Sequence, residues 1–174
     1  SAPDWHAIPV GNAGNISAYW AGYKQYAEMG KIKAVPRMMG FQAAGAAPLV
    51  TGEPCPMPET VATAIRIGNP VSAHLAKDAA RESGGEFNSV TDEEILSAQY
   101  YLSSKGGIFA EPASCAPLAG ILRLKRQGRL PKGIKIVMVL TGNGLKDPDT
   151  AMSQVGRPIE IGDSLDELME VMKG

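Results

Sequence analysis

The sequence predicts an α/β domain, a mainly parallel sheet flanked by helices, and three observations predict it. Short apolar runs rich in β-branched residues alternate with stretches of helical periodicity, the pattern of strands joined by helical crossovers. Helix start and stop signals bracket those stretches. Glycine-rich loops follow two of the runs, where a parallel sheet gathers its ligands. At 174 residues the chain is long enough for one domain with its own core.

Four runs read as buried strands: 6–10, 35–41, 86–90 and 134–140. The last, Ile-Lys-Ile-Val-Met-Val-Leu, is nearly continuous and is the strongest strand signal. Ile16, Tyr19, Trp20, Tyr23 and Ala27 fall on one helical face, with Gly30 placed to end that helix. Thr91-Asp92-Glu93-Glu94 is a capping box leading into Ile95, Ala98, Gln99 and Leu102, with Gly106 just beyond. Pro112 opens a helix whose apolar side carries Ala116, Ala119, Ile121 and Leu122 and which closes near Gly128. Ser164 and Glu167 form a second capping box before Leu165, Leu168, Met169 and Met172. The Gly/Pro-rich stretch 40–58 is expected to hold a short helix and irregular loop. The stretch 147–163, with Pro148, Gly156, Pro158 and Gly162, reads as a linker. Residues 1–150 are thus expected to form the main unit, and 151–174 a linker and final helix.

Composition excludes several classes. A formal net charge of −1 is not that of a general nucleic-acid binder. The basic stretch from Arg123 to Lys135 reads as a solvated helix end, where cations are favoured. Cys55 and Cys115 belong to no C-x-x-C pair, and His6 and His74 have no ligand spacing, so no metal site is expected. No run of about 18 apolar residues is present to span a membrane. The chain has no initiating Met and enters an apolar run almost at once, as expected of a cut chain.

The chemistry-bearing residues lie in two loops. Gly11-Asn12-Ala13-Gly14-Asn15 stands between a strand and a helix. Small residues let backbone wrap a ligand, and the helix start offers free N–H groups and its positive dipole end to an anion. It is neither a P-loop nor G-x-G-x-x-G, and without a lysine or arginine the amides would do the holding. On the residues alone, a phosphate cradle and a plain tight turn both stand. Thr141-Gly142-Asn143-Gly144 follows the strongest strand, and a ligand loop and an ordinary turn both stand there as well.

G-N-A-G-N with its Ile-Ser-Ala-Tyr-Trp helix, F-Q-A-A-G-A-A-P-L-V, E-T-V-A-T-A-I-R-I-G-N-P, T-D-E-E-I, E-P-A-S and T-G-N-G-L-K-D-P occur in that order. Together they resemble the C-terminal half of bacterial and archaeal threonine synthases, over about residues 4–150. The resemblance implies the large-domain portion of the tryptophan-synthase-β-like fold and pyridoxal 5′-phosphate (PLP) as cofactor. It implies that Gly11, Asn12, Ala13, Gly14 and Asn15 bind the cofactor phosphate and that Thr141 faces the pyridine nitrogen. It places Ala64 and Arg66 on the substrate side, a structural role for Arg66 in a surface ion pair being the other reading. Glu111 reads as a helix-start anchor.

The implied reaction converts O-phospho-L-homoserine and water to L-threonine and phosphate, in cytoplasmic threonine biosynthesis. The family's Schiff-base lysine lies in a Ser-x-Lys-Asp-like context that none of the ten lysines here has; Lys146-Asp147 belongs to the block after Thr141. No catalytic residue is therefore assigned. The chain is expected to be inactive alone and to need the N-terminal half of the same enzyme, the parent being a homodimer. A serine or threonine dehydratase of the same fold, or a non-enzymatic anion-binding fragment, are the alternatives.

Overall fold

In the computed structural model, which describes residues 1–155 and 159–173, the chain forms a four-stranded sheet with helices on both faces. Strand β1 (Trp5–Pro9) runs into α1 (Gly14–Glu28), and β2 (Arg37–Ala43) into the short α2 (Pro48–Thr51). Then come α3 (Ala73–Ser83), β3 (Glu86–Val90), α4 (Asp92–Gly106), α5 (Pro112–Arg126) and β4 (Ile136–Met138). Helices α6 (Pro148–Val155) and α7 (Leu165–Lys173) complete it. The strand order is β3-β2-β1-β4, and every pairing among the described strands is parallel.

Alternation along the inner strands divides the core in two, because successive side chains leave a strand on opposite faces. Trp5, Ala7, Met39 and Phe41 face α4 and α5 with Ile95, Ala116 and Leu124. Ile8, Val10 and Met38 face α1 and α3 with Ile16, Trp20, Ala76 and Ala79. Helix α5 is the most deeply buried, with Pro112 through Ile121 all inside. The Thr91 capping box forms as expected: Glu94 N–H donates to Thr91 Oγ1 at 3.2 Å and Thr91 N–H to Glu94 Oε2 at 3.0 Å.

Several expectations are corrected. The run 134–140 gives only a three-residue strand, and Val137 is 42% exposed, because β4 is an edge strand with β1 as its one neighbour. β3 is likewise an edge and buries only Val90 fully. β2 runs on to Ala43, so Gly40 to Ala43 are strand and not loop. The expected linker holds α6 across residue 150: Pro148 sits in its first turn and Asp147 Oδ1 accepts the Thr150 N–H at 3.3 Å. Gly156 and Pro158 lie outside the described residues. Glu167 Oε2 accepts the Gly162 N–H at 2.7 Å, where the expected capping box would have it accept the Ser164 N–H. Arg123 and Arg126 of the basic stretch pair with Glu94 of α4, and Arg129 pairs with Glu86 of the edge strand β3. No helix among the described residues is long and apolar enough to cross a membrane.

Candidate functional site

Because β1 and β4 are adjacent and parallel, the loops leaving them reach the same carboxyl edge of the sheet. Val10 N–H still bonds Phe41 O at 2.8 Å, directly before Gly11, and Val139 N–H bonds Ala7 O at 3.2 Å, two residues before Thr141, so both strands stay paired close to their loops. Between the loops lies a cleft of about 360 Å³, lined by Gly11 to Ile16, Pro9, Ala64, Ile65, Glu111, Thr141 and Lys146. That volume is in the range of small-molecule sites.

One wall is backbone. Ala13 is buried at φ 67°, the single non-glycine residue in the left-handed region among the described residues. The turn it makes swings the chain into α1 with no side-chain cap and no acid in the first turn. The amides of Gly11 through Ile16 have no hydrogen-bond partner among the described residues. They are the donors an anion would satisfy, at the positive end of a 15-residue helix. Gly11 is required by close approach: a Cβ there would press on Ala64 O at 3.1 Å and Ile65 Cα at 3.1 Å. A Cβ on Gly14 would meet nothing within 4 Å. The Asn12 side chain turns away, accepting Val71 N–H at 3.1 Å and so tying the loop to the segment before α3.

The facing wall carries side chains. Thr141 Oγ1 lies 3.0 Å from Ser114 Oγ and 3.4 Å from Glu111 Oε1. Ser114 Oγ accepts the Gly142 N–H at 2.9 Å. Glu111 N–H donates to Gly142 O at 3.0 Å, and a Cβ on Gly142 would overlap the Glu111 carboxylate. Glu111 is 6% exposed, and its Oε2 lies 3.9 Å from Lys146 Nζ. The neighbouring Cys115 thiol is pushed up to about 12, by burial first and by the Glu111 charge second, so it stays a neutral core group.

The sequence-derived residues thus meet in part. Gly11, Asn12, Ala13, Gly14, Asn15, Thr141 and Ala64 line one cleft. Arg66 does not line it; the side chain is exposed and has no ion-pair partner among the described residues. Glu111 does not act as a helix-start anchor through its side chain, since it makes no capping bond. Its carboxylate lines the cleft with Lys146, backed by the buried Ser114, three residues that sequence patterns do not single out as a group. The signal available was E-P-A-S itself: a glutamate before the Pro at a helix start, with a hydroxyl one turn on. No group of His, Cys, Asp and Glu able to hold a metal is present among the described residues.

The family model described as "Pyridoxal-phosphate dependent enzyme" matches residues 1–142. The chain belongs to this family. Its members use pyridoxal phosphate, and the fold is theirs. The chain is 58% identical over 161 residues to a threonine synthase of Synechocystis sp., covering 92% of this chain and 42% of that protein. To a threonine synthase of Methanocaldococcus jannaschii it is 47% identical over 179 residues, covering 98% and 44%. The chain therefore spans about half the length of the curated relatives it matches. Among solved structures, a threonine deaminase from T.th. superposes with a TM-score of 0.63 at 20% identity, covering 91% of this chain and 52% of that one, which shows the shared fold.

The residues present fit the family's cofactor. Unpartnered amides at a helix start suit a phosphate dianion, the cleft is of small-ligand size, and a hydroxyl stands on the opposite wall.

Proposed function

We propose that this chain supplies the cofactor-phosphate half of the active site of a threonine synthase, which converts O-phospho-L-homoserine and water to L-threonine and phosphate. The observation that carries the proposal is the set of unpartnered amides from Gly11 to Ile16 facing Thr141 across the cleft. The 47–58% identity to threonine synthases supports the choice of reaction.

In this reading Gly11, Asn12, Ala13, Gly14 and Asn15 hold the PLP phosphate by backbone N–H groups. Thr141 faces the ring nitrogen, and Ala64 with Ile65 packs beside the ring. Arg66, exposed next to that segment and without an ion-pair partner among the described residues, is a cation for the substrate's phosphate. Bound PLP supplies an electron sink for carbanions formed on the substrate. Thr141 is neutral, so it orients the ring without adding charge. The lysine that carries the cofactor, and the covering domain that excludes water, belong to the remainder of a longer cytoplasmic, homodimeric enzyme; this chain alone does not turn over. Residues 1–150 are the large-domain portion and 151–174 a trailing segment.

The test is a phosphate titration followed by amide chemical shifts. Gly11 to Ile16 are expected to move, weakly and saturably. Gly14→Val should abolish the response: its Cβ meets no protein atom, so the fold tolerates it while the side chain blocks the anion's approach. Thr141→Val should leave phosphate binding intact. If Arg123 to Lys135 shift and the loop stays still, the cradle is misplaced.

A further inference from the structure

Glu111, Ser114, Thr141 and Lys146 pose an accounting problem. An ionised carboxylate only accepts, and each hydroxyl has one proton to give. Ser114 Oγ already accepts the Gly142 N–H, and the short contact in the group is the 3.0 Å between the two hydroxyls. If Thr141 donates to Ser114, the Ser114 proton must go to Glu111 Oε1 at 3.5 Å or Gly142 O at 3.4 Å. Thr141 then shows the cleft only lone pairs. If Ser114 donates to Thr141, the Thr141 proton is left for Glu111 Oε1 at 3.4 Å or for the cleft.

A buried carboxylate without a counter-charge draws every available proton toward itself. Both hydroxyls would then point inward, and Thr141 would act as an acceptor. Lys146 changes this balance. Its Nζ lies 3.9 Å from Glu111 Oε2, the carboxylate oxygen that neither hydroxyl contacts, and it is the one cationic side chain lining the cleft among the described residues. We propose that Lys146 is a positioning residue: by neutralising Glu111 it leaves the Thr141 hydroxyl free to donate into the cleft, so that this end holds a ring nitrogen in its unprotonated form.

The charged groups facing the hydroxyls are Glu111 from the start of α5 and Lys146 from the turn after Thr141; Cys115, behind Glu111, is neutral. Because the Lys146 side chain is 63% exposed, changing it removes charge without disturbing the core. The proposal rests on the reading that PLP occupies this cleft, and two measurements separate the two.

The first uses PLP labelled with 15N in the ring, at saturation on the 174-residue chain at neutral pH. The wild type should show the unprotonated nitrogen. Lys146→Met should raise the protonated-to-neutral ratio about tenfold, the low end of what one uncompensated nearby charge does. Lys146→Arg should restore it, and Lys146→Met combined with Glu111→Gln should return it to the wild-type ratio. An unchanged ratio in Lys146→Met, or a double variant that stays like it, overturns the proposal. The second measurement uses no cofactor. Amide shifts of Gly142 and Ser114 in the same double-variant cycle should be non-additive, as for coupled groups. Additive shifts, with PLP still moving the Gly11–Ile16 amides, overturn the role of Lys146 and spare the cleft. Loop amides unmoved by PLP remove the reading of the cleft and this proposal with it.

Discussion

His6 points into the α1 face of the sheet, 3% exposed, with Nδ1 3.0 Å from Tyr23 Oη and Nε2 buried without a partner. Burial lowers its pKa below the ordinary 6.5, because the protonated ring would lose its hydration. The unfolded chain therefore binds the proton more readily than the folded one. Stability from the neutral ring is fully present above the unfolded value and is lost as pH falls through and below 6.5. The loss approaches about 1.4 kcal/mol per pH unit for a single proton. Carboxylates titrate on the acid side as well, so the comparison that isolates His6 is with His6→Phe, which keeps an aromatic ring against Tyr19 and Tyr23. Urea midpoints from about pH 7 to about pH 5 should fall less steeply in the variant. Equal slopes would mean that the ring is hydrated in the folded chain. Sequence alone gave no hint of this, since His6 lies in an apolar run and only the crossing of α1 over β1 supplies its tyrosine neighbours.

Among the elements, α5 ties the two halves of the domain together, packing on β1, β2 and β3 while its start builds one wall of the cleft. Gly120 lets it approach closely, because a Cβ there would overlap the ring of Phe41, itself fully buried in β2. On an exposed helix, Gly→Ala stabilises by about 1 kcal/mol. At Gly120 the overlap reverses the sign, and Gly120→Ala should destabilise by about 1–2 kcal/mol net, within the range for overpacked cores. A lower urea midpoint with unchanged slope is the expected reading; a midpoint equal or higher would show that α5 moves aside freely. The elements legible in the sequence were those with chemical punctuation: the Thr91 box, Pro112 at a helix start, and Gly30 just past a helix end. Helix α3 carries no such punctuation at its start: Ser72 gives it no side-chain cap and its first turn holds no acid, so the buried face of Ala76, Ala79 and Ala80 has no start signal to announce it. β4 was over-read for the opposite reason. Its β-branched run states a propensity, but burial depends on neighbours that an edge strand lacks.

At the scale of the whole molecule, the backbone wall of the cleft was legible and the side-chain wall was not. A glycine-asparagine loop between a strand and a helix is a local pattern, whereas Glu111, Ser114 and Lys146 are brought beside Thr141 only by the pairing of residues 109–111 with 142–144. The same cleft also locates the test of what the molecule lacks. Lys146 is the one lysine that lines it among the described residues, and Glu111 already engages that lysine at 3.9 Å. If the carrier lysine belongs to the remainder of a longer enzyme, adding PLP to this chain and reducing with borohydride should label exposed lysines sparsely, with no saturable single site in the intact-mass and peptide spectra. No phosphate should be released from O-phospho-L-homoserine. Stoichiometric labelling of Lys146 alone, with threonine formed, would make this turn the carrier site and sink the reading of half an active site. Glu111→Gln sharpens the choice, because it frees the Lys146 amine from its carboxylate. Labelling that remains sparse even then means that the amine is poorly placed for the cofactor and not merely occupied.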